Sequence, residues 1–332
     1  MSVTSTTERA GLLVAVITGG RPKLQQRLTR RFLESLAEAG HPVVWVLSDR
    51  DQPGYETDDY EQAVYTREWA ESYAADHWML PKPPDPDGFL GAFPGREWAC
   101  REAERRGCWG VLQLDDNIER LSFPRGSSSA INLVRERGGM AFFADLLAGV
   151  ALSTNSRMTG AQLDAVVQLQ RQVARAGFPY SCFVERVGPG REEWFGPFED
   201  DITHAFQYGT RADGATAAVM PMLRYMKESK SKTGMRAKYN HERAVQLQRI
   251  FPQGASVKVM STRSNGKGEA RVFHKMAAGA IRNPLVVQDE ARWNAVRETH
   301  IECLAEFSTR IREANRVKVL NRAAKVEIAN GT

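Results

Sequence analysis

The run LLVAVIT, residues 12–18, closed by Gly19-Gly20-Arg21-Pro22, constrains the fold more than any other stretch of the chain. A short, unbroken apolar segment rich in β-branched residues and ending in a turn reads as a buried strand. Leu24, Leu28, Phe32, Leu36 and Ala39 then recur at helical spacing until Gly40 stops the pattern. VVWVLSD, residues 43–49, reads as a second buried strand. Strand, helix and strand in such close succession form a βαβ unit, which predicts a parallel pair with a right-handed crossover.

Further along, the spacing predicts a helix around 61–74, a helix over 95–107 with Trp98 inward, and a strand over 109–114. PKPPDPDGF (81–89) is a surface loop, because its prolines remove backbone donors. SFPRGSSSA reads as another loop, followed by helices near 136–147 and 161–176 and a strand at 180–186. After a basic segment over 227–238, the pattern gives a helix at 238–250, strands near 256–260 and 270–274, and a long C-terminal helix from about 289.

Composition is that of an ordinary globular protein, with 42% apolar and 26% charged residues. Cys100, Cys108, Cys182 and Cys303 are too dispersed for a zinc ribbon and too few for a disulfide framework, which argues for a reducing compartment. The N-terminus lacks the basic start of a signal peptide, and the longest apolar run, residues 140–152, is too short to span a bilayer. The expectation is a soluble, cytoplasmic protein with no membrane partner. Its net charge of +5 is unevenly spread: residues 221–282 hold fourteen Lys or Arg against three Glu, a local net of +11. Such segregation suits a polyanionic partner, although a solvated surface explains it equally well.

Two acid clusters carry the chemistry. LQLDDNIERL (112–121) delivers Asp115 and Asp116 at the end of an apolar strand, and GPFEDDITHAF (196–206) opens a helical pattern with Glu199, Asp200 and Asp201. In open α/β sheets ligands bind beyond the carboxyl ends of strands, where Thr18 to Arg21, Asp49 and Asp115-Asp116 all fall. A strand-end carboxylate pair suits a hard divalent cation such as Mg²⁺ or Mn²⁺, and equally a turn cap. The second cluster suits a helix N-terminus, and one of its carboxylates suits a general base.

The Gly-Gly turn after the first strand, the strand-end acid Asp49, the DxD-like LDDN and the ED motif before a helix resemble a GT-A glycosyltransferase. YSCFVERVGPGREEWFGPFEDDITHAFQYG (180–209) with the following KESKSKTGMRAKY resembles more narrowly the DNA-modifying glycosyltransferases associated with TET/JBP-type base hydroxylases. The likeness spans roughly residues 12–275. It implies an α/β, GT-A-like fold with a Rossmann-type mixed central sheet flanked by helices and a long C-terminal helix. The implied organisation is a disordered start (1–10), a catalytic domain (11–285) with a nucleotide-sugar half (11–120) and an acceptor half (121–285), and a helical extension (286–332). The implied activity moves a sugar from a nucleotide diphosphate donor, UDP-glucose or similar, to the hydroxyl of 5-hydroxymethylcytosine or hydroxymethyluracil in DNA.

By the same resemblance Thr18, Gly19, Gly20, Arg21, Asp49, Arg96 and Asp115 bind the donor, and Asp116, Asn117 and His274 hold Mn²⁺ or Mg²⁺. Asp200 is the base, with Glu199 and Asp201 as second choices. Asn117 departs from the family pattern, which has an acid there. Lys227, Lys230, Lys232, Arg236, Lys238 and Arg263 are the DNA contacts, which would act on phosphates without regard to sequence. Trp194, Phe195 and Tyr239 are either core or stacking residues. A metal-dependent nuclease, a non-catalytic nucleic-acid-binding protein on a degenerate transferase fold, and a transferase acting on protein or small molecules are the alternatives.

Overall fold

Both faces of the first strand are dry. In the computed structural model, β1 (Leu12–Ile17) sends Leu12, Val14 and Val16 into one apolar cluster and Leu13 and Ala15 into another. β2 (Val43–Ser48) repeats the division, with Val43, Trp45 and Leu47 on the first side and Val44 and Val46 on the second. Parallel sheets covered by helices on both faces require such strands. The structure describes residues 11–78, 90–124, 127–165, 171–228, 239, 241–262, 269–277 and 279–330. The loop expected at 81–89, the N-terminal ten residues and most of the basic segment lie outside them.

The remaining strands are β3 (Glu61–Tyr65), β4 (Gly110–Asp115), β5 (Ile118–Ser122), β6 (Ser156–Leu163), β7 (Arg175–Ala176), β8 (Cys182–Arg186), β9 (Thr216–Lys227), β10 (Ala255–Thr262) and β11 (Glu269–Met276). The fold is α/β, built on one curled mixed sheet in the order β3-β2-β1-β4-β8-β6-β9-β5, with β7 paired to β9. β3, β2, β1 and β4 run parallel, and β8 turns the sheet antiparallel by pairing against both β4 and β6. β10 and β11 form a separate antiparallel hairpin.

Helices cover both faces. α1 (Leu33–Glu38), α5 (Met140–Ser153) and the start of α8 (Glu290–Asn330) pack on the first side through Leu33, Leu36, Phe143, Leu147, Val296 and Cys303. α2 (Arg67–His77), α3 (Phe93–Arg105) and α6 (Asp200–Gly209) cover the second through Tyr73, Phe93, Cys100, Ala205 and Tyr208. α4 (Ser128–Glu136) flanks β5, and α7 (Glu242–Ile250) packs on the hairpin. The long C-terminal helix is present as expected; its docked part is clamped by Arg137 to Glu306 at 2.8 Å. Among the described residues no helix is long and apolar enough to cross a membrane. All four cysteines are unpaired and buried.

Several expected elements differ, each for a local reason. The crossover expected over 24–39 is helical only at α1; before it come two 3₁₀ turns, Leu24–Gln26 and Leu28–Phe32. There the chain is pulled onto the β4–β5 turn: the Thr29 amide donates to Asp116 O at 3.1 Å and Ile118 N donates to the Thr29 hydroxyl at 2.9 Å. The buried Arg27 guanidinium sits 4.6 Å from the Trp45 ring centroid and 5.0 Å from that of Tyr55. The helix expected around 61–74 splits into β3 and α2, because Thr66 caps a new start by accepting from Trp69 N at 3.1 Å. Ser127 does the same for α4 inside the expected loop, accepting from Ala130 N at 3.2 Å.

The helix expected over 161–176 is overturned: its beginning belongs to β6 and its end to β7. At Gly160 an added Cβ would stand 2.4 Å from Pro179 Cβ, so a bare backbone is what lets β8 close against β6. β9 has no counterpart in the sequence reading, since Pro221 argues against a central strand. The register there jumps from Ala161↔Met220 to Gln162↔Arg224, and Pro221 falls within that irregularity. Trp98, expected inward, is half-buried against Trp69 with centroids 4.8 Å apart, whereas Arg96 and Glu97 are buried. Replacing Thr29 with Val should cost about 1–3 kcal/mol in urea unfolding, because the buried Ile118 amide loses its acceptor. Unchanged stability would contradict this account of the shortened helix.

Candidate functional site

Three strand ends meet at one place. Thr18, directly after β1, donates through its hydroxyl to Asp116 Oδ2 at 2.8 Å, and the Arg21 guanidinium is paired with Asp116 Oδ1. The Arg21 amide donates to the Tyr55 hydroxyl at 3.0 Å. The Gly19-Gly20 turn is faced by Asp51, whose Oδ1 accepts from Gly20 N at 3.4 Å and whose Oδ2 would stand 3.5 Å from a Cβ at Gly19. The expected donor residues Thr18, Gly19, Gly20 and Arg21 therefore do gather beside the first acid cluster. Asp49 does other work: its Oδ1 accepts from Arg67 N at 2.8 Å and caps α2. Asp51 and Tyr55 are the residues that sequence reasoning missed here, in the acidic, turn-rich stretch after β2.

Arg96 joins the two acid clusters. It is 3% exposed, its Nε donates to Asp200 Oδ2 at 2.8 Å, and its Nη2 donates to Asp115 Oδ1 at 2.8 Å. The guanidinium carbon lies 5.5 Å from the Phe183 ring centroid and 5.4 Å from that of Trp194. Its Nη1 is buried without a hydrogen-bond partner among the described residues. Lys227 completes the compensation of Asp115, with Nζ 3.0 Å from Oδ2 and 2.6 Å from Ser181 Oγ. Lys227 was expected on DNA and is instead turned into the site. Lys230, Lys232, Arg236, Lys238 and Arg263 lie outside the described residues.

The two clusters differ in electrostatics. Burial alone would raise Asp115, but Lys227 and Arg96 hold its pKa well below the usual carboxylate range. Burial pushes Asp116 up to about 6, against the pull of Arg21 and Thr18. Asp201 is pushed up to about 7, first by burial and then by the neighbouring Asp200. Asp200 itself is committed to Arg96, and Glu199 is paired with the Arg243 guanidinium. Glu199 also adopts a left-handed backbone, φ 52°, at the start of α6. Asp201 has no ion pair among the described residues, and its Oδ1 accepts from the Ile202 amide at 2.9 Å.

Asn117 has a structural reason to be an amide. Its Nδ2 donates to Glu228 O at 2.9 Å while Glu228 N donates back to Asn117 O at 3.0 Å, stitching the β4–β5 turn to the end of β9. A carboxylate could not make the first of these bonds. Asn117 Oδ1 is buried without a partner among the described residues, whereas both oxygens of Asp116 are engaged, one by Thr18 and one by Arg21. A hard cation at Asp116 and Asn117 would have to displace Arg21 from Asp116, with phosphate oxygens and water completing its shell. His274 does not extend it visibly: its Nδ1 lies 3.7 Å from Glu199 Oε1, with the second cluster. Among the described residues no group of three or more His, Cys, Asp or Glu side chains is disposed to hold an ion.

A fully buried carboxylate fixes the geometry from behind. Glu185 on β8 is 0% exposed. It takes His204 Nε2 at 2.6 Å, the Tyr208 hydroxyl at 2.9 Å, Trp194 Nε1 at 3.0 Å and Gln113 Nε2 at 3.1 Å. His204 and Tyr208 lie on α6, which carries Asp200 and Asp201, Gln113 lies on β4, which carries Asp115, and Trp194 lies in the segment between β8 and α6. Cys100 Sγ, one helical turn beyond Arg96 on α3, adds a contact at 3.3 Å. Trp194 stacks on His204 with centroids 3.9 Å apart and is core, as are buried Phe195 and Tyr239.

No family model and no curated protein matches the chain. A solved structure described as a crystal structure of a mycobacterial protein superposes with a TM-score of 0.43 at 11% identity, covering 84% of this chain and 91% of that one.

Asp201 and Asp116 set a pH dependence of stability. Both bind protons more tightly folded than unfolded, so each costs stability as pH rises from about 4 through about 7. Asp201→Asn removes one such cost. In urea unfolding it should match the parent at pH 4 and exceed it at pH 8; equal stability at both would refute the burial-raised pKa. Glu185→Ala should cost about 3 kcal/mol by the same measurement, because several buried donors lose one acceptor.

Proposed function

We propose that the protein is a glycosyltransferase that moves a sugar from a nucleotide diphosphate donor, UDP-glucose or a similar UDP-sugar, to the hydroxyl of 5-hydroxymethylcytosine or hydroxymethyluracil in DNA. The observation that carries this reading is the meeting of the two acid clusters across Arg96, which gathers Arg21, Arg96 and Lys227 at the strand ends near Asp201, a carboxylate of raised pKa. The basic composition of residues 221–282, net +11, supports a polyanionic acceptor.

The Thr18–Arg21 turn receives the nucleotide end of the donor. Arg21, Lys227 and Arg96 face the diphosphate, and the unpaired Nη1 of Arg96 has a donor to spend on it. Asp116 and Asn117 would hold Mn²⁺ or Mg²⁺, which when bound supplies Lewis-acid neutralisation of the departing diphosphate. Asp201 takes the proton of the acceptor hydroxyl as the oxygen attacks the anomeric carbon. The bond from that carbon to the diphosphate oxygen breaks with its electron pair leaving on the diphosphate, and the configuration inverts. Asp200, first choice from the sequence, holds Arg96 in place and leaves the proton to Asp201. The enzyme acts in the cytoplasm, where such DNA is accessible.

Hydroxymethylated and plain DNA incubated with UDP-sugars and Mn²⁺, then digested to nucleosides for mass spectrometry, should show a hexose-sized gain on the hydroxymethylated substrate only. Strand nicks without a sugar adduct would replace this reading by the nuclease. Asp201→Asn should lower kcat about 100-fold or more while donor affinity holds, and should abolish a rise in rate with apparent pKa near 7. Near-normal turnover in that variant would remove Asp201 from the role of base.

A further inference from the structure

A second cationic feature, Arg175, lies away from the strand-end site and has no carboxylate partner among the described residues. A cavity of about 680 Å³ opens between β7 and the β10–β11 hairpin, lined in part by Arg175, Gly177, Phe178, Ser256, Lys275 and Met276. Arg175 is half-buried, and its one hydrogen bond among the described residues runs from Nη1 to Ala176 O at 3.1 Å. Its Nε is buried without a partner among the described residues. Burial lowers its pKa, and the one group opposing that is the Tyr180 hydroxyl, not a carboxylate. By contrast Arg21, Arg96, Arg191 and Arg243 each hold a carboxylate. A half-buried guanidinium without a counter-ion is costly unless an anion arrives to use it.

The other walls suit a phosphate ester. Lys275 on β11 is exposed and stands in register with Ser256 on β10, so an ammonium and a hydroxyl flank the opening. Phe178 supplies an apolar wall, held edge-on against Phe206 with centroids 5.0 Å apart. The second acid cluster does not line the cavity but lies within electrostatic reach of Tyr180, which also opposes the effect of burial on Arg175. Tyr180 feels both Arg175 and the acids Asp201 and Glu199, and His274, next to Lys275 on β11, reaches Glu199 at 3.7 Å. We infer that this cavity binds a backbone phosphodiester of the acceptor strand, with Arg175 and Lys275 as its contacts and Ser256 as a further donor. The inference rests on the transferase reading for the identity of the strand. Phosphate contacts fix register and orientation, so an anchored phosphodiester here would hold the strand while the neighbouring nucleotide is presented to Asp201.

The test measures binding of a fluorescein-labelled oligodeoxynucleotide to the full chain by anisotropy across a salt series. The parent is compared with Arg175→Gln and Lys275→Glu, with UDP affinity and inorganic phosphate competition measured alongside. Each variant should bind the oligonucleotide about tenfold more weakly and reduce the slope of log K against log salt by about 1, with UDP affinity unchanged. Lys275 is exposed, so its variant keeps the test open if Arg175→Gln does not fold. Parent-like affinity and slope in Lys275→Glu and in folded Arg175→Gln overturn the inference. Displacement of the oligonucleotide from the parent by inorganic phosphate at equal phosphate concentration overturns it in favour of a small-anion site. The transferase reading fails separately: a parent that binds DNA through these residues yet transfers no sugar keeps the phosphodiester site and loses the enzyme.

Discussion

Beside the stacked rings of Phe183 and Trp194, one buried guanidinium holds carboxylates from two distant parts of the chain. Arg96 reaches Asp115 at the end of β4 and Asp200 at the start of α6, both at 2.8 Å. Two acidic clusters brought to one dry place would repel each other, and neither could ionise fully without a cation between them. The price of burying the arginine is met by bonding to two carboxylates at once, with Lys227 sharing Asp115. The approach of α6 to the strand ends, and with it the position of Asp201, follows from that bridge. Glu185 reinforces it from the opposite side by tying α6, β8, α3 and β4 to a single carboxylate.

The arrangement divides labour among residues that look alike. Asp200 and Asp115 are electrostatic struts, each answered by a cation. Asp201, next in sequence to a strut but without an ion pair among the described residues, is pushed up to about 7 by burial and by Asp200. Asp116 lies between these cases, answered by Arg21 but buried enough to be raised. The adjacent Asp115 and Asp116 thus shift in opposite directions from geometry alone.

Much of the frame could be read from the chain. The apolar runs of β1 and β2 and the opening of α6 declare themselves by period, and the two acid clusters by their placement at element ends. Four features could not. β9 is interrupted by Pro221, and only the register jump against β6 reveals how a strand accommodates it. β3 and α2 merge into one helical pattern unless Thr66 is recognised as a cap. Lys227 sits at the edge of a basic run and shares its composition, so its inward role is invisible without the coordinates. Asp49 and Asp51 are two residues apart in an acidic turn, and only the path of the backbone decides which faces the Gly-Gly turn. Arg96 is placed at the donor through resemblance alone; nothing in GREWACREAERRG distinguishes it from the six other arginines and glutamates of that stretch, of which Glu97 is also buried.

The central claim is that Asp115 and Asp200 are one electrostatic unit through Arg96. A double-mutant cycle on Asp115→Asn and Asp200→Asn, read by urea unfolding at pH 7, tests it most directly. A shared buried cation predicts a coupling of about 1–3 kcal/mol between two substitutions 85 positions apart in sequence. Additivity to within about 0.5 kcal/mol would mean that the two clusters do not share the arginine, and the site described here would come apart.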